Sequence, residues 1–70
     1  KYEQITRKLE KAESEVDALR ASENQITAQY RAGRISKGVY ESLLSDLRKR
    51  IEKAKATVDS IIVTLREETR

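Results

Sequence analysis

Tyr30-Arg31-Ala32-Gly33-Arg34-Ile35-Ser36-Lys37-Gly38-Val39-Tyr40 is where the heptad repeat of this chain falters, and its reading decides the fold. Gly33 can take the left-handed conformation that ends a helix. Ser36 is placed to cap the next one, its hydroxyl accepting an orphan backbone N–H. Ile35 then falls just before the cap and Tyr40 four residues after it, the spacing of a hydrophobic staple. Gly38 sits in the first turn of that second helix, where glycine costs about 1 kcal/mol relative to alanine. The stretch reads as a turn between two helices.

On either side of it a 3-4 apolar spacing runs in one phase. The a positions are Tyr2, Leu9, Val16, Glu23, Tyr30, Lys37, Leu44, Ile51, Val58 and Leu65. The d positions are Ile5, Ala12, Leu19, Ile26, Gly33, Tyr40, Leu47, Ala54, Ile61 and Glu68. Such a repeat buries a narrow seam against another helix. The expected fold class is all-α: an antiparallel two-helix coiled-coil hairpin, associating into a larger helical bundle. One domain over 1–70 is expected, with helix 1 at about 2–32, the turn at 33–36 and helix 2 at about 37–68. Each helix would be roughly 45 Å long. The repeat is already in register at Tyr2, so the chain is expected to be a fragment of a longer one.

Folding back pairs residues whose numbers sum to 70, and each a residue then meets a d residue. Leu19 faces Ile51, Leu9 faces Ile61, Val16 faces Ala54, Ala12 faces Val58 and Tyr30 faces Tyr40. The expected seam is Ile5, Leu9, Val16, Leu19, Ile26, Leu44, Leu47, Ile51, Val58, Ile61 and Leu65, and the turn residues are Gly33, Ile35, Ser36 and Gly38. Glu23 at an a position is expected to fix register by reaching toward Arg20, Arg48 or Arg50. Because the heptad phase never shifts, a continuous helix paired antiparallel with a second chain would make the same layers. Two mid-helix glycines would cost that form roughly 2 kcal/mol per chain, which favours the hairpin.

Composition narrows the function. Seventy residues, 39% of them charged, with neither Cys nor His, supply no disulfide and no His or Cys ligand for zinc. Absence of His removes the usual general acid–base and triad chemistry, and no glycine-rich phosphate loop precedes a helix. No catalytic, cofactor-binding or metal-binding residues are expected, no cofactor, and no enzymatic activity. No apolar run approaches the roughly 18 residues of a membrane span. The polar first residues do not read as a signal peptide. The lack of Cys fits a cytoplasmic setting.

Two surfaces are candidates for partners. Val39, Leu43, Ile62 and Val63 lie off the seam and are expected to mark a face for partner helices or a second copy. Arg31, Arg34 and Lys37 around the turn, with Arg48, Lys49, Arg50 and Lys53 on helix 2, are candidate anion contacts. They carry the alternative reading, a nucleic-acid-binding hairpin arm. The leading expectation is a non-enzymatic protein–protein interaction or self-assembly scaffold.

The eleven residues from Tyr30 to Tyr40, with a Tyr, a Gly-x-Ile and a second Tyr between two long charged helices, resemble turns in archaeal helical-hairpin proteins. Among these is the coiled-coil region of the cell-division scaffold of the archaeal Cdv (ESCRT-like) system; short SHOCT-type hairpins are similar. Arg34 and Ser36 depart from that scaffold's pattern, which often has an acidic residue and a Pro there. The resemblance implies a filament- or complex-forming scaffold in cell division, with the turn residues structural.

Overall fold

The computed structural model describes residues 2–68; Lys1, Thr69 and Arg70 lie outside them. Two helices make up the fold, α1 (Tyr2–Arg31) and α2 (Lys37–Glu68), packed side by side and joined by residues 32–36. The chain is an antiparallel two-helix hairpin. Its extents of 52 × 15 × 12 Å are one helix length by two helix widths. A continuous helix of this length would approach 100 Å.

Why the chain reverses is written in the backbone of the turn. Gly33 has φ 75°, the left-handed region that glycine enters without a Cβ penalty. Arg34 N–H donates to the Gln29 carbonyl at 2.9 Å and Gly33 N–H to the Tyr30 carbonyl at 3.0 Å. These are the 6→1 and 5→2 bonds of a Schellman motif, which satisfies carbonyls that the helix end would otherwise orphan. Three residues on, Val39 N–H donates to Ser36 Oγ at 3.2 Å, and Tyr40 N–H to the Ser36 carbonyl at 2.9 Å. Ser36 is therefore the N-cap of α2. Both helix ends at the reversal are closed by local bonds.

Packing runs along the a and d stripe. The buried side chains are Ala12, Ile51 and Ala54, at 6–7% exposure. Two of the three are alanines, whose small side chains let the helices approach closely. The other seam residues, Ile5, Leu9, Val16, Leu19, Ile26, Leu44, Leu47, Val58, Ile61 and Leu65, are half-buried. Tyr2 begins the repeat yet is 58% exposed, so the seam loosens toward the open end.

Candidate functional site

Nearest the turn, the helices are joined by a small aromatic and polar cluster. Tyr30 and Tyr40 stack with centroids 4.4 Å apart and planes 3° from parallel. Thr27 Oγ1 lies 2.9 Å from the Glu23 carbonyl and 3.1 Å from Tyr40 Oη. A hydroxyl has one hydrogen. Thr27 spends it on the Glu23 carbonyl, so Tyr40 is the donor in the bond between the helices. Thr27 is an e residue, one step outside the a and d positions, and reading the seam alone passes over it. Its signal was available: a hydroxyl flanking the layer next to a d-position tyrosine.

Glu23 is half-buried, its side chain 31% exposed, and its Oε2 lies 3.8 Å from Nε of Arg48 across the hairpin. That is an ion pair at a length too great for a strong hydrogen bond. Arg48 is 68% exposed on its side chain, so water screens the pair and its energetic worth is small. The contact joins Glu23 on α1 to Arg48 on α2, one of the arginines expected to meet it. Arg50 turns to its own helix, pairing with Asp46 at 3.1 Å.

The candidate partner face divides in two. Val39, Leu43 and Val63 are 49%, 42% and 53% exposed, whereas Ile62 is half-buried. Ile62 at e and Leu43 at g border the seam on opposite flanks, while Val63 at f points away. Nineteen residues separate Leu43 from Ile62, about 28 Å along the helix. Val39 and Leu43 therefore belong to the reversal end, and Ile62 and Val63 to the open end.

The candidate anion contacts divide in the same way. Arg31, Arg34, Lys37, Arg48, Lys49, Arg50 and Lys53 are all exposed. The first three surround the turn. Lys53 is sixteen residues beyond Lys37, about 24 Å, and Arg48 and Arg50 are engaged by acids. Tyr30 and Tyr40 are committed to each other rather than to an outside ring.

Among the described residues, no group of three or more His, Cys, Asp or Glu is placed to hold a metal ion, and no helix is long and apolar enough to cross a membrane. Shallow grooves flank the seam, such as that lined by Glu13, Val16, Asp17, Arg20, Lys55, Val58 and Asp59. They are open troughs along a two-helix rod, with apolar floors and charged rims. Compared with models of known families, with curated proteins and with solved structures, the chain finds no match.

Proposed function

We propose that the hairpin is a non-enzymatic assembly module whose seam is completed by further helices, from a second copy or from a partner. One observation carries this reading. Of eleven aliphatic seam residues only Ile51 is buried, and ten keep a rim of apolar surface open to solvent. A pair of helices covers one stripe of each, and a core of this size supplies little of the stability a domain needs. A three- or four-helix arrangement would cover both rims. Ile62, beside the seam at the open end, extends that surface, and Val63 at f adds apolar area on the outer side of the same turn. The resemblance of the Tyr30–Tyr40 turn to hairpins of the archaeal Cdv scaffold points the same way, toward a complex- or filament-forming role.

The test is association. The melting temperature should rise with protein concentration, and sedimentation equilibrium should give a mass above one chain. Ile62→Lys and Val63→Lys should each lower that mass while leaving most of the helicity. A single-chain mass at all concentrations, with cooperative melting unchanged, would refute the reading.

A further inference from the structure

From Arg31 to Lys37 the chain carries three cations and no acid. All three side chains are exposed at the reversal end. Among the described residues, none of the three takes part in an ion pair. Arg48 and Arg50, further along α2, are answered by Glu23 and Asp46. Three cations within seven residues, with Glu41 the first acid after them, thus share one narrow end of a rod 52 Å long and 15 × 12 Å across.

Beside the cations, Val39 and Leu43 occupy the first two turns of α2 at 49% and 42% exposure. An unpaired basic cluster next to exposed aliphatic side chains fits a surface that is anionic outside and apolar just beneath. A phosphodiester backbone would use the cations and leave the aliphatic groups in water. Base stacking has no free ring here, because Tyr30 and Tyr40 stack on each other. Presentation is also rigid: the two 6→1 and 5→2 bonds, the Ser36 cap and the Thr27–Tyr40 bond hold the turn in one form.

We propose that the hairpin tip, through Arg31, Arg34, Lys37, Val39 and Leu43, docks end-on against an anionic phospholipid surface. Each cation near such a surface is worth about fivefold in partitioning (about 1 kcal/mol), so three give roughly 100-fold. The aliphatic pair adds burial at the headgroup boundary, the geometry of interfacial anchors. One tip binds weakly, and several tips on one assembly bind together by multivalency.

Co-sedimentation with vesicles of phosphatidylserine in phosphatidylcholine, against phosphatidylcholine alone, tests this on the whole chain. Strong preference for the anionic vesicles is expected. The triple variant Arg31→Gln/Arg34→Gln/Lys37→Gln should lose roughly 100-fold, and Val39→Ser/Leu43→Ser should lose at least severalfold. Val39→Trp in this Trp-free chain should show blue-shifted emission on anionic vesicles. Equal binding to neutral vesicles overturns the proposal. So does a Val39→Ser/Leu43→Ser protein that binds like the parent, or a tryptophan whose emission does not move; either would mark a contact with polyanions alone. Helicity and sedimentation mass of the variants are read in parallel. Loss of vesicle binding at unchanged mass therefore separates this surface from the assembly surface.

Discussion

A methyl group added at Gly33 would meet nothing within 4 Å, yet the φ of 75° there is strained for any L side chain. At Gly38 the space is equally open and the backbone is helical. The same substitution should therefore have opposite signs five residues apart. Gly33→Ala is expected to destabilise the hairpin by about 1–2 kcal/mol, the cost of holding a Cβ in the left-handed region. Gly38→Ala is expected to stabilise it by about 0.4–1 kcal/mol, because the unfolded chain loses freedom. Chemical denaturation of the two variants checks both; Gly33→Ala at parental stability would remove the Schellman turn from the account. Ser36→Ala should cost about 1 kcal/mol through the lost cap. These residue-scale features were legible because their chemistry is local: a glycine, a hydroxyl and a fixed offset are enough to specify them.

At the scale of the helices, energy concentrates where layers are deepest. Ile51 is 7% exposed beside Ala54 at 6%, so Ile51→Ala should cost about 2–4 kcal/mol through lost burial and a residual cavity. Leu19 is half-buried, and Leu19→Ala should cost less than Ile51→Ala. Equal melting curves for Ile51→Ala and the parent protein would show that the seam runs elsewhere. Glu23 stands at an a position and leans 3.8 Å toward Arg48. Replacing it by Leu is expected to stabilise the seam by about 1 kcal/mol, at the expense of the contact to Arg48. Tyr40→Phe should cost about 1 kcal/mol, the net worth of the hydrogen bond to Thr27. The seam was readable from periodicity alone, since a and d positions follow from spacing. Depth was not, because every seam residue has the same sequence signature whether buried like Ile51 or half-open like Leu44. Nor was the split of the outer apolar residues foreseen. Ile62 and Leu43 look alike in composition, yet e and g fall on opposite flanks of the seam, and 28 Å of helix lies between them.

For the molecule as a whole, the local signals at Gly33 and Ser36 become a shape. Two 30-residue-class helices closed by one five-residue turn give a rod with a basic, partly aliphatic tip and an open end where the seam loosens at Tyr2. The heptad phase runs through both halves without a shift, so side-chain pairing alone fits either a reversal or two long helices lying antiparallel. The turn breaks that degeneracy with backbone bonds that a continuous helix cannot make. Spin labels placed at residues 5 and 65, diluted with unlabelled protein so that each pair lies within one chain, measure this directly. A separation near the 8–10 Å of packed helix axes plus the reach of the labels is expected. A distance near 90 Å, the span of sixty residues in one unbroken helix, would contradict it.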